Sequence, residues 1–157
     1  MSGFGRILED LNEGRVAYVL VGGIAMIRHG VVRATRDIDA VFAPTDENVE
    51  RILGLVDKWG ATRPDGTLLE REELGPDRTI HLATPHGDLD LLSERIAGIP
   101  YERLRARADV KRVDGVPAPI CSLADLVALK RAAGRERDIA DLADLKAAHG
   151  ELPTAGS

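Results

Sequence analysis

The stretch from Ala17 to Phe42, AYVLVGGIAMIRHGVVRATRDIDAVF, decides the fold. Ala17 to Val21 is an apolar run of the kind that forms a buried strand. Gly22-Gly23 ends it and lets the backbone turn with no Cβ in the way. Ile24, Ala25, Ile27 and Arg28 continue as a short helical pattern, and Gly30 is placed to cap it. A second strand is predicted from about Arg36 to Phe42. On it Asp37 and Asp39 share one face, while Ile38, Ala40 and Phe42 share the other.

Two carboxylates side by side on one strand repel each other and carry a desolvation cost. A cation between them removes both penalties. Hard divalent ions such as Mg²⁺ prefer carboxylate oxygens and bridge readily to phosphates. A Gly-Gly turn entering a helix offers backbone N–H groups and a positive dipole end to phosphate oxygens. Asp-x-Asp alone is also compatible with an edge strand facing water. The ordered combination of strand, Gly-Gly, helix and Asp-x-Asp strand favours a metal-bound nucleoside triphosphate.

That combination, with GG followed by HGVVRATRDID, resembles the signature of the DNA polymerase beta-like nucleotidyltransferase superfamily. The minimal bacterial branch, which includes the abortive-infection, toxin-type nucleotidyltransferases, is the most similar. The resemblance implies that Gly22 and Gly23 contact the triphosphate and that Asp37 and Asp39 bind Mg²⁺. Thr35 stands before the Asp pair where relatives have Ser, and joins the nucleotide-binding set. Ile24 replaces the superfamily's Ser beside the second Gly, which weighs against a drug-modifying assignment.

Around this unit the chain reads as alternating helices and strands. Phe4, Ile7, Leu8 and Leu11 have helical spacing. Thr45 or Asp46 can cap a helix whose stripe is Val49, Ile52, Leu53 and Val56, ending at Gly60. Arg63 to Asp77 reads as a mobile polar loop. Thr79–Ala83 and Leu89–Leu92 are predicted strands around a Pro85-His86-Gly87 turn. The family places its third metal carboxylate on a neighbouring strand of this kind. Asp90, embedded in LDLL, fits that role better than Asp88, which adjoins the turn.

Val113 to Ile120 reads as a turn and extended segment around Asp114-Gly115. Ser122-x-x-Asp125 opens a helix on which Leu123, Leu126, Val127 and Lys130 fall at i, i+3, i+4 and i+7. Lys130 therefore sits on the apolar stripe, where it either snorkels to the rim or has an anionic partner. Gly134 ends this helix and a last one runs from about Arg135 to His149. Asp138 leans toward the core there, in a first turn that favours acids. Lys130, Arg137, Asp138 and Asp141 resemble the C-terminal motifs of the toxin-type branch. By that resemblance Lys130 holds the triphosphate and Asp138 belongs to the active site. The place of Lys130 on the stripe calls for an anion, either the carboxylate cluster or Asp138, and Asp138 is expected as its resting partner. His29 and Arg33 are either mouth residues or surface groups between helix and strand.

Composition sets the frame. With 157 residues, 44% of them hydrophobic, the chain is long enough for one domain with its own core, taken as 1–150 with a flexible tail at 151–157. The longest apolar stretch, Val16 to Ile27, is too short to span a membrane. The N-terminus reads as an amphipathic helix and not as a signal peptide, so a cytoplasmic setting is expected. Cys121 stands alone, which excludes an internal disulfide. A net charge of −5 argues against broad coating of nucleic acid. Arg103, Arg105, Arg107, Lys111 and Arg112 could still follow an RNA backbone locally, or form a solvated basic helix face.

The expected fold is α/β, a short mixed sheet with helices packed against it and a small C-terminal helical part. The expected activity is Mg²⁺-dependent transfer of an NMP from a nucleoside triphosphate to a hydroxyl of a tRNA end or a protein. Asp37, Asp39 and Asp90 would hold two ions about 3.5–4 Å apart. A toxin–antitoxin-type setting would add a cognate partner protein. The competing expectations are a non-catalytic interaction or antitoxin protein that keeps the fold, and a nucleotide sensor that never turns over.

Overall fold

The computed structural model describes residues 2–75 and 77–154. The chain runs α1 (Gly3–Glu13), β1 (Tyr18–Val21), α2 (Gly22–Arg28), β2 (Asp37–Phe42) and α3 (Asp46–Trp59). After a 3-10 turn at Arg71–Glu73 come β3 (Thr79–Thr84), β4 (Gly87–Leu92), α4 (Glu94–Ala97) and α5 (Tyr101–Arg107). β5 (Asp109–Val113), β6 (Val116–Ile120), α6 (Leu123–Ala133) and α7 (Glu136–His149) complete it. The class is α/β with a mixed sheet, as the sequence predicts.

The strands form one sheet in the order β3-β4-β2-β1-β6-β5. β1 and β2 are antiparallel although a helix joins them, because α2 is only seven residues long and the chain doubles back before Asp37. Val21 lies opposite Asp39. β2 then pairs in parallel with β4, setting Asp37 against Asp88 and Asp39 against Asp90. Paired residues point to the same face, so Val21 and the four aspartates share one side of the sheet. Leu20, Ile38, Ala40, Leu89 and Leu91 are buried on the other. α1 contributes Ile7, Leu8 and Leu11 to the core, and α3 contributes Val49, Ile52, Val56 and Trp59.

Local signals end the helices where the sequence places them. Thr45 and Ser122 accept the N–H groups of Asn48 and Asp125, and Gly60 and Gly134 close α3 and α6 in the left-handed region. Asn48 is buried and ties three segments together. Its Oδ1 accepts from the Ala17 N–H at 2.7 Å, and its Nδ2 donates to the carbonyls of Ala17 and Ala43.

Two features depart from expectation. The basic run is not one helix face: it turns at Ala108, leaving Arg103, Arg105 and Arg107 on α5 and Lys111 and Arg112 on the edge strand β5. Asp114 and Gly115 both have positive φ, at 50° and 80°. A two-residue turn with both central φ positive closes a hairpin, so Val116–Ile120 needs a partner upstream and recruits Asp109–Val113. The segment 63–75, expected to be mobile, carries bonds of its own and one to α3: Arg63 pairs with Glu73 and donates to Thr67 Oγ1 and the Leu68 carbonyl, and Arg71 pairs with Glu50. Its Thr62 neighbour bridges to Ala83. In the segment 151–157, Leu152 packs against the core, and residues 155–157 lie outside the described ones. Among the described residues no helix is long and apolar enough to cross a membrane.

Candidate active site

Asp37, Asp39 and Asp90 each offer a carboxylate oxygen, and the three oxygens lie within 4.8 Å of one another. Two consecutive same-face positions on β2 and the parallel register with β4 produce this convergence. Asp88 stays exposed at the outer end of the row and is not part of the group.

Gly22 and Gly23 stand directly above these carboxylates. Gly22 has φ +65°, and a Cβ there would lie 2.1 Å from Asp39 Oδ2. A Cβ on Gly23 would meet Thr35 Oγ1 at 2.7 Å. Glycine is required at both positions by close approach, and at the first by backbone conformation as well. The Gly23 N–H is directed at the Asp39 carboxylate and counters part of the rise in its pKa. Thr35 Oγ1 donates to the Asp37 carbonyl at 3.1 Å, which fixes the entry to β2.

Burial pushes Asp39 up to about 7, with further contributions from Asp90 and Asp37. Burial, Asp90 and Asp88 raise Asp37 as well. Without a cation the cluster therefore retains protons that isolated aspartates would have lost. An all-oxygen set of three carboxylates is also the donor set that hard divalent cations select. The residues present fit Mg²⁺.

The opposite wall comes from α6 and α7. A cleft of about 880 Å³ is lined by the glycine turn, Thr35, the carboxylates, Arg33, Lys130, Arg135, Arg137, Asp138 and Asp141, and on its far side by β3 and α4. Lys130 Nζ donates to Asp141 Oδ2 at 2.7 Å and stands 3.4 Å from Asp138 Oδ1. Arg33 Nη1 reaches the other oxygen of Asp141 at 2.9 Å. Asp138 is fully buried and is bound by Arg135 through Nε at 2.6 Å and the backbone N–H at 3.1 Å. Burial alone would raise the Asp138 pKa, but these donors outweigh it and hold it below the usual carboxylate value.

Lys130 thus pairs with Asp138, the partner expected from the sequence, and also with Asp141, which is the nearer anion. Helix geometry is the reason. Asp138 lies in the first turn of α7, where the Arg135 N–H and side chain claim its oxygens, while Asp141, one turn on, faces Lys130. His29 does not line the cleft; its Nε2 bonds the Cys121 carbonyl at 2.7 Å. Burial pushes the Cys121 thiol up to about 12, with Asp125 adding to the rise. Sequence reading also missed His81 on β3, whose Nδ1 lies 2.7 Å from Asp90 Oδ1. A second hollow of about 540 Å³, between α1, α3 and the β3–β4 turn, contains none of the residues that line this cleft.

The overall fold is shared with solved nucleotidyltransferases. The lincosamide antibiotic adenylyltransferase LnuA, solved with lincomycin, superposes with TM-score 0.63 at 16% identity, covering 93% of this chain and 96% of that one. ANT(2")-Ia, solved with adenylyl-2"-tobramycin, gives TM-score 0.61 at 15% identity, covering 92% and 86%. An antigenic nucleotidyltransferase-like protein from Paracoccidioides brasiliensis gives TM-score 0.61 at 14% identity, covering 92% and 72%. At these identities the likeness is one of fold. No curated protein sequence matches the chain. The model of one protein family matches residues 6–148, nearly the whole chain, and on that match the chain belongs to the family described as nucleotidyltransferase of unknown function (DUF6036).

Proposed function

We propose that the protein transfers an NMP from a nucleoside triphosphate to a hydroxyl acceptor, with Mg²⁺ held by Asp37, Asp39 and Asp90. The convergence of these three carboxylates beneath the Gly22-Gly23 turn carries the proposal. In the reaction the acceptor oxygen bonds to the α-phosphorus, the bond from that phosphorus to the oxygen bridging to the β-phosphate breaks, and pyrophosphate leaves. The hydroxyl proton passes to solvent or to a cleft carboxylate. Mg²⁺, when bound, supplies Lewis-acid charge that eases loss of this proton and steadies the α-phosphate.

The chain's own groups do the positioning, which provides most of the catalysis in transfers at phosphorus. Gly22 and Gly23 let the Asp39 carboxylate and the Thr35 hydroxyl lie against the backbone, and their turn lines the cleft that would take the triphosphate. Lys130 meets the β- and γ-phosphates, exchanging Asp141 for the nucleotide. Arg33, Arg135 and Arg137 add positive charge to the same wall, and buried Asp138 keeps Arg135 in place. Thr35 holds the β2 entry so that Asp37 and Asp39 face the substrate.

The acceptor is the end of a tRNA, a protein hydroxyl or a small hydroxyl compound such as those adenylylated by the structural neighbours. A toxin–antitoxin-type pairing would supply the cognate partner protein. Incubation with each α-labelled ribonucleoside triphosphate and a cell extract, followed by identification of the labelled species, separates these classes. Label on one class, dependent on Mg²⁺, supports transfer and names the acceptor. No label with any nucleotide, while nucleotide still binds, would make the protein a sensor or an interaction partner.

A further inference from the structure

We infer that His81 is a positioning residue for the cation site, holding Asp90 through one oxygen so that the other remains directed to the metal. The inference rests on the proposed metal-dependent function and adds a residue to it.

His81, Asp90 and Asp39 stand in one row across three strands. His81 is directly opposite Asp90 in the antiparallel β3–β4 pair, and Asp90 is directly opposite Asp39 in the parallel β4–β2 pair. All three point to the cleft face and line it. His81 Nδ1 and Asp90 Oδ1 are 2.7 Å apart. A carboxylate accepts, so the Nδ1–H of the imidazole is the donor. The Asp90 side chain is 13% exposed and that of His81 is 60% exposed. The imidazole thus covers the water-facing side of a carboxylate whose other neighbours are Asp37 and Asp39.

Asp90 differs from its two partners in what fixes it. Asp39 is confined by the Gly22 backbone, since its Oδ2 fills the space a Cβ would take. Asp37 follows Thr35, which anchors its carbonyl. Asp90 sits on β4 with β3 as its outer neighbour, and β3 is the edge of the sheet. Besides its contacts with Asp37 and Asp39, the side-chain bond to His81 limits its χ2 rotation from the outer side. With Oδ1 engaged, Asp90 presents a single oxygen to a cation. Outer partners of this kind orient metal ligands, and their loss lowers metal affinity by about 10–100-fold.

Binding of Mn²⁺, followed by the EPR signal of the free ion in the full-length protein, tests this without reference to turnover. Asn places its Nδ2 where histidine has Nδ1, whereas Gln reaches only the Nε2 position. His81→Phe is expected to weaken Mn²⁺ binding by about tenfold or more, with circular dichroism and melting unchanged. His81→Asn should recover most of the affinity and His81→Gln should not. Wild type that binds Mn²⁺ and His81→Phe that binds it equally well would overturn the role of His81 alone. Recovery by Gln as fully as by Asn would do the same. Wild type that binds no Mn²⁺ would overturn the metal site itself, and the inference with it.

Discussion

Lys130 and Asp141 form an ion pair in the cleft, Nζ to Oδ2 at 2.7 Å, with side chains only 13% and 11% exposed. A lysine on an apolar helix stripe has found its anion on the next helix. Its ammonium stays in the cleft in the absence of nucleotide and needs only to exchange one oxygen partner for another. Lys130→Ala is expected to weaken nucleotide binding more than tenfold, about 1.4 kcal/mol, by calorimetric titration, with the fold intact. An unchanged dissociation constant would confine the α6–α7 wall to a scaffold role.

Asp141 also accepts from Arg33, so its removal takes an anion from two cations and leaves Lys130 with Asp138 at 3.4 Å. Asp141→Ala is expected to destabilise the protein by about 1–3 kcal/mol in denaturant titration. Asp138→Ala should do comparable damage by a different route, because it releases Arg135 and the start of α7. Both variants as stable as wild type would mean that the network contributes nothing net to folding.

Gly22→Ala tests the close approach at the carboxylates. The new methyl would need the space of Asp39 Oδ2, in a backbone conformation that L side chains avoid. Asp39 must move, and Mn²⁺ binding should fall at least tenfold together with a lower melting temperature. Normal metal affinity in this variant would show that Asp39 can relocate and that the turn is not shaped around it.

Protonation of the cluster gives stability a defined pH dependence. The ordinary value for Asp39 is 3.8, and in the folded protein burial, Asp90 and Asp37 raise it to about 7. Between these values the folded state binds a proton that the unfolded chain has lost. This contribution is fully present below about pH 4 and is lost as pH rises through about 7. Asp37, also raised, acts with the same sign. The melting temperature of the metal-free protein is expected to fall from pH 5 to pH 8, and Asp39→Asn should flatten that slope. Mg²⁺ should restore stability at pH 8 by binding the ionised cluster. An identical slope in wild type and variant would contradict the assignment.

Much of this was legible in the sequence because local rules decide it. The glycine turn, Asp-x-Asp on a strand, the β3–β4 turn and the caps at Thr45 and Ser122 depend on residues a few positions apart. The preference for Asp90 over Asp88 is also local: Asp90 is embedded in LDLL, whereas Asp88 adjoins the turn. What escaped depends on register between distant strands. No local pattern shows that β2 runs parallel to β4, and that pairing alone brings Asp90 beside Asp39. His81 escaped for the same reason, since its meaning lies in the residue opposite. β5 went unseen because DVKRV carries charge and lies at the sheet edge, where one flank needs no apolar pattern. Asp141 yielded to Asp138 because both lie on one helix, and only the fold shows which of them Arg135 has already engaged.

The most direct test of nucleotidyl transfer uses two labels in parallel. The purified protein, supplied with Mg²⁺, its nucleotide and an extract containing the acceptor, receives the triphosphate labelled at either the α- or the γ-phosphate. Transfer of an NMP leaves the α label on the acceptor and the γ label in pyrophosphate. Both signals should vanish with a chelator and in Asp37→Ala and Asp39→Ala variants that remain folded. The γ label on the acceptor or released as orthophosphate, or undiminished transfer in the Asp variants, would contradict the assignment of this cleft to NMP transfer.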